Sequence, residues 1–125
     1  MQCERNEAAF AVHGLDLLTP GLHDPVVGLP LRLLAPIWEQ AAHALRDAPH
    51  VVDVRNIGLL AAIDLAPRDG APGARGAECA KWCFDDDVLI RSSGDTLVLS
   101  PPLIISENQI EMVFATIRRA LDTID

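Results

Sequence analysis

The stretch VLIRSSGDTLVLSPPLII at residues 88–105 decides how this chain folds. Two short apolar segments flank Ser92, Ser93, Gly94 and Asp95, residue types that accept positive φ or hydrogen-bond their own backbone. The spacing predicts a hairpin joining residues 88–91 to residues 96–100. Pro101 and Pro102 end the second strand, because neither can donate to a ladder. Arg91 closes the first strand beside the turn. From there its planar guanidinium can leave the sheet and take a carboxylate through two parallel hydrogen bonds. Spacing alone also fits a solvated arginine at a strand end, the commoner situation for this side chain.

Moving upstream, residues 51–55 and 59–65 read as a second hairpin about Asn56, Ile57 and Gly58, with Arg55 supporting the turn. The run GLLAAI at 58–63 is apolar at every position, the pattern of a strand covered on both faces. Part of this surface is therefore expected to lie against a further domain or a second subunit.

Helical spacing surrounds the two hairpins. From residue 31, Leu34, Ile37, Trp38, Ala41 and Leu45 form one apolar stripe, with Pro36 expected near the helix start or at a kink. A place on that stripe makes Trp38 a core residue and not an aromatic ligand platform. A shorter helix over 76–84 carries Ala77, Ala80, Cys83 and Phe84 and runs into Asp85, Asp86 and Asp87. At the negative end of the helix dipole those carboxylates read as solvated, not as a metal or acid–base site. Ser106-Glu107-Asn108-Gln109 is a capping box leading into Ile110, Val113, Phe114, Ile117, Leu121 and Ile124, with Arg118 and Arg119 suited to the helix dipole.

The order helix, two strands, helix, two strands, helix implies an α+β sandwich of two layers. An antiparallel sheet of three or four strands should carry the helices on one face. The domain is assigned to 31–125. Residues 1–30 remain unassigned: a helical turn over 7–18 gives way to Thr19, Pro20, Gly21, Asp24, Pro25, Gly28 and Pro30, a density of breakers that reads as irregular chain.

Composition narrows the partners. The chain has 125 residues and a net charge of −8, so it repels phosphate backbones and anionic lipid, and neither nucleic acid nor a membrane surface is expected to bind it. No leader pattern or spanning run is present in the sequence, and three cysteines suit a reducing compartment, so a cytoplasmic location is expected. Cys79 and Cys83 lie four apart like half a metal site. However, His13, His23, His43 and His50 are scattered without ligand spacing, so structural thiols are the better reading and no metal is expected. There is no G-x-G-x-x-G, Walker loop or nucleophile elbow.

Three stretches carry a family resemblance: VVDVRNIGLLAAIDLAPRDGAPGARG at 51–76, VLIRSSGDTLVLSPPLII at 88–105, and the closing helix. The loop at 66–76 is the most specific of them. Together with the helix over 34–45 they resemble the small C-terminal domain of class III aminotransferases, pyridoxal-phosphate enzymes of fold type I, in the omega-amino acid:pyruvate (beta-alanine:pyruvate) branch. The resemblance implies that Arg91 is the substrate-carboxylate ligand, able to swing aside for other substrates, and that active sites lie at a dimer interface.

It does not supply the chemical centre. Such an enzyme needs a Schiff-base lysine, an acidic partner for the pyridine nitrogen and a phosphate cup. This chain has one lysine, Lys81, and the family's lysine belongs to the large domain, upstream of everything matched. Pyridoxal phosphate is therefore the parent family's cofactor, with none expected on this chain alone and no catalytic residue assigned. Two functions follow. Either the chain is the C-terminal part of a transaminase, closing the active site and binding substrate carboxylates beside a large-domain partner, or it is a non-catalytic remnant that dimerises or binds small carboxylates or a protein.

Overall fold

The computed structural model describes residues 30–125. The expectations for 1–29, including the helical turn and the scattered His13 and His23, lie outside the described residues.

Helix α1 (Leu31–His43) starts where Pro30 accepts from the amides of Leu33 and Leu34, and it runs directly into a 3₁₀ turn, Ala44–Asp47. Pro36 sits inside the helix, in its second turn, where it cannot donate the backbone bond an ordinary residue would make. Leu34, Trp38 and Ala42 point inward, with Ile37 and Ala41 packed at the margin. Strands β1 (Val51–Ile57) and β2 (Leu60–Leu65) form the first hairpin. Helix α2 (Ala74–Asp85), the hairpin β3 (Arg91–Ser93) and β4 (Thr96–Leu99), and helix α3 (Glu107–Thr123) complete the chain. The sheet is antiparallel throughout, in the order β1-β2-β4-β3. It is the antiparallel α+β arrangement expected, with four strands where three or four were predicted.

Several local expectations are corrected. The first turn falls at Gly58 and Leu59, because Gly58 takes the left-handed position at φ +57° while Asn56 and Ile57 stay in the strand. Arg55 does not support that turn. It bridges Asp53 at 2.8 Å and Asp64 at 2.5 Å on the sheet surface. Strand β2 is not covered on both faces: Ala61, Ile63 and Leu65 are buried while Leu60 is half exposed and Ala62 and Asp64 lie between. Within this chain the apolar run conceals the alternation because alanine at 62 is small enough to sit on the open face.

Helix α2 begins earlier than expected and turns Gly76, Cys79 and Cys83 inward, leaving Ala77 and Phe84 exposed. The acidic run that ends it is paired instead of merely solvated, Asp85 with Lys81 at 2.8 Å and Asp86 with Arg119 at 2.7 Å. Arg118 likewise reaches across to Asp47 and the Ala44 carbonyl, so these arginines serve tertiary contacts more than their own helix dipole. All of these ion pairs are solvent-exposed and add little stability.

Helix α3 matches its sequence signature. Gln109 N–H donates to Ser106 Oγ at 3.1 Å and Ser106 N–H to Gln109 Oε1 at 2.9 Å, closing the capping box. We expect Ser106→Ala to lower the unfolding free energy by about 1 kcal/mol, read by urea titration; an unchanged midpoint would show that the cap does not hold the helix start. The core gathers between the sheet and the three helices, where Trp38 of α1 meets Phe114 of α3 edge to face, centroids 4.8 Å apart at 70°. The one buried hydroxyl of this core, on Thr116, donates back to the Met112 carbonyl at 2.8 Å. Among the described residues no helix is long and apolar enough to cross a membrane.

Candidate functional site

The position of Arg91 follows from the ladder. Arg91 lies opposite Val98, Val98 opposite Ala62, and Ala62 opposite Arg55, so one row of side chains crosses all four strands. Their neighbours along each strand, Val54, Ala61, Ile63, Leu97 and Leu99, are buried against the helices. Because side chains alternate between faces, the row belongs to the open face of the sheet. Its two arginines differ. Arg55 is neutralised by Asp53 and Asp64, and Asp64 also accepts from Thr96 Oγ1 at 2.7 Å. The Arg55 guanidinium, followed by the Thr96 hydroxyl, holds the Asp64 carboxyl below the usual range. Arg91 is exposed and makes no ion pair or side-chain hydrogen bond among the described residues.

The expected hairpin is present with a shifted first strand. Residues 88–90 are not strand; β3 starts at Arg91 itself, and Ser92 and Ser93 pair with β4 instead of forming the turn. The shift originates at the end of α2. Asp87 takes a left-handed conformation at φ +73°, and the amide of Val88 folds back on the Cys83 carbonyl at 2.8 Å. Val88 and Ile90 are then buried before the strand begins.

The two-residue turn, Gly94 and Asp95, is anchored more firmly than its sequence suggests. The Asp95 carboxylate accepts from Gly73 N–H at 2.7 Å and Gly76 N–H at 2.9 Å, capping α2 from another part of the chain. Gly73, the residue at the helix start, has no side chain for that task. Asp95 also holds β2 through its own carbonyl, which accepts from the Leu65 amide at 2.8 Å. Sequence reading missed Asp95; the available signal was a glycine pair spaced three apart where a capping side chain should stand.

The amides of Gly73 and Gly76 hold the Asp95 carboxyl below the usual range. The folded form then binds fewer protons than the unfolded chain, so this contribution is complete above an unfolded value of about 3.9 and is lost as pH falls through the lower folded value. Asp95→Asn is expected to cost about 1 to 2 kcal/mol near neutrality, and less as pH drops below about 4. Urea titrations of both proteins from pH 3 to pH 7 check this, and curves that stay parallel to the acid end would remove the carboxylate from the explanation.

Lys81 does not fit a cofactor lysine. It stands on the solvent side of α2, its side chain 75% exposed and bonded to Asp85 at 2.8 Å. The described residues therefore offer no fit to pyridoxal phosphate as a Schiff base. Cys79 and Cys83 are buried; the neighbouring Cys79 sulfur, with burial, pushes the Cys83 thiol up, so it stays protonated. Among the described residues no three potential metal ligands gather.

No family model matches the sequence. An omega-aminotransferase of Caulobacter vibrioides is 53% identical over 88 residues, covering 70% of this chain and 20% of the relative. The chain is homologous to omega-aminotransferases, matching a small domain of them. A beta-alanine–pyruvate aminotransferase of Pseudomonas aeruginosa is 36% identical over 91 residues, 73% of this chain and 20% of its own length. The chain thus spans about a fifth of the omega-aminotransferases it matches. Among solved structures, a transaminase with L-alanine superposes with a TM-score of 0.69 at 28% identity, over 74% of this chain and 23% of that one. A PMP-bound aminotransferase from Vibrio fluvialis gives 0.66 at 29% identity, over 74% and 22%. The α+β sandwich expected from the sequence is a small domain of these structures.

Proposed function

We propose that this chain supplies the substrate-gating part of a pyridoxal-phosphate-dependent omega-amino acid:pyruvate transamination. Arg91 binds the substrate carboxylate, and the domain closes over an active site whose cofactor anchors lie on a large domain or partner chain. The observation that carries this reading is the contrast between two arginines in one row, Arg55 saturated by carboxylates and Arg91 without any among the described residues. A guanidinium on an open sheet face, with no carboxylate partner among the described residues, is ready for a carboxylate from outside the domain. Lys81 stands exposed beside Asp85, and on this reading the cofactor is held by the large domain or partner chain. A cytoplasmic setting, which keeps Cys79 and Cys83 reduced, agrees with this role.

The test is reconstitution of the domain with an omega-aminotransferase large domain. Arg91→Ala is expected to lower kcat/KM for beta-alanine by about ten- to a hundredfold, the worth of a charge-assisted bidentate contact, and to leave a carboxylate-free arylamine unchanged. Equal losses for both substrates would sink the role of Arg91.

One observation supports the second reading, a remnant that dimerises. Ile57 and Leu60 lie opposite each other at the hairpin end and are 74% and 52% exposed. If they form a self-association patch, Ile57→Lys converts a dimer to a monomer in sedimentation equilibrium; a wild-type chain that is monomeric at high concentration excludes it.

A further inference from the structure

We propose that helix α2 is a splint for the strand that carries Arg91, and that Asp95 is the positioning residue through which it acts. The kinetic part of this inference rests on the transaminase reading of Arg91; the structural part does not.

Arg91 stands at a weak place in the sheet. It opens β3, a strand of three residues at the sheet edge, whose one strand neighbour among the described residues is β4. The lead from Val88 to Ile90 is not strand and adds no pairing. A short edge strand with one neighbour opens readily unless something else holds it.

Both ends of this stretch are tied to α2. Upstream, the Val88 amide donates to the Cys83 carbonyl at 2.8 Å, in the last turn of the helix. Downstream, the Asp95 carboxylate accepts from the Gly73 and Gly76 amides at 2.7 and 2.9 Å, at the helix start. One rigid element therefore fixes the strand at either end. The helix is itself well seated: Gly76, Cys79 and Cys83 are buried, and Arg75 donates through Nη1 to the Ala66 carbonyl just past β2. Where α2 meets the turn, the Gly76 and Gly94 backbones approach with no side chain between them to absorb a displacement. The loop at 66–76, which the transaminase reading leaves without a role, thus delivers the two amides that hold Asp95.

A bidentate contact is sensitive to such support. Its two parallel N–H···O bonds need the guanidinium placed within about 0.5 Å, and a misplacement of about 1 Å costs on the order of a hundredfold in rate. An arylamine without a carboxylate makes no such demand. Loosening the turn therefore changes which substrate is preferred, whereas a general loss of stability lowers all substrates alike.

The test compares Asp95→Asn with Ser106→Ala, which removes a cap from a different helix. Asparagine keeps the shape of aspartate but replaces one acceptor oxygen with an amino group that cannot accept from either amide. In ¹⁵N relaxation on the full chain, the order parameter of the Arg91 amide should fall from about 0.85 toward about 0.6 in Asp95→Asn and hold in Ser106→Ala. An Arg91 amide that stays as ordered in Asp95→Asn as in the parent chain overturns the splint. In the reconstituted enzyme, Asp95→Asn should lower the ratio of kcat/KM for beta-alanine to that for the arylamine about tenfold, with Ser106→Ala leaving the ratio alone. The folded fraction cancels from that ratio, because both substrates meet the same preparation. A ratio unchanged in Asp95→Asn, or changed as much in Ser106→Ala, also overturns the proposal. If Arg91→Ala itself fails to separate the two substrates, the transaminase role of Arg91 falls and the relaxation result alone decides the splint.

Discussion

Trp38→Ala will remove about 4 kcal/mol of unfolding free energy, a drop of roughly 20 °C in Tm for a domain of this size. Trp38 is the largest of the fully buried side chains and joins α1 to α3 through its edge-to-face contact with Phe114. Truncation leaves a void where α1 and α3 meet, and neither helix can collapse into it without leaving the sheet. Trp38→Phe should cost less than half as much. It keeps an aromatic ring near Phe114 and deletes the indole N–H that has no acceptor. Calorimetry of the two variants decides the point: equal losses would mean that the indole N–H, and not the ring volume, stabilises the core.

Gly76→Ala is expected to cost about 3 kcal/mol, roughly 15 °C in Tm, although alanine is the better helix former. A Cβ at position 76 would stand 2.3 Å from the Gly94 carbonyl oxygen and 2.9 Å from the Asp95 Cα, both backbone atoms. The turn would have to retreat, and retreat withdraws the Asp95 carboxylate from the Gly73 and Gly76 amides. Since that turn joins β3 to β4, the displacement also reaches Arg91. Gly58→Asn is the informative control: its φ is +57°, but nothing lies within 4 Å of the added carbon, so only a small loss is expected. A loss at Gly76 no larger than the small one at Gly58, measured by thermal melting, would mean that the turn yields to the added carbon and that the close approach is not what requires glycine.

The candidate site was legible in the sequence as far as Arg91, and no further. An arginine at the border of an apolar segment, next to a turn and two prolines, marks a strand end whatever surrounds it. Whether such an arginine is spent or available depends on which carboxylates the sheet brings beside it. Asp53 and Asp64 belong to Arg55 because β1 pairs with β2, and nothing in the spacing of the residues assigns them there. The run at 58–63 hides its periodicity for a related reason: within this chain burial alternates along β2, and a small residue on the open side masks that alternation in the letters.

What the sequence determined by itself was local and periodic. The capping box at Ser106, the stripe of α3, the two hairpins and the two-layer α+β order all follow from interactions within a few residues or from a repeat that matches one element. The tertiary structure alone decided the rest: the Asp95 cap on a helix some twenty residues upstream, the pairing of the acidic run with Lys81 and Arg119, and a hollow between α1, α3 and the lead into β3. These features join atoms from separate elements, and their free energies depend on distances that only packing sets.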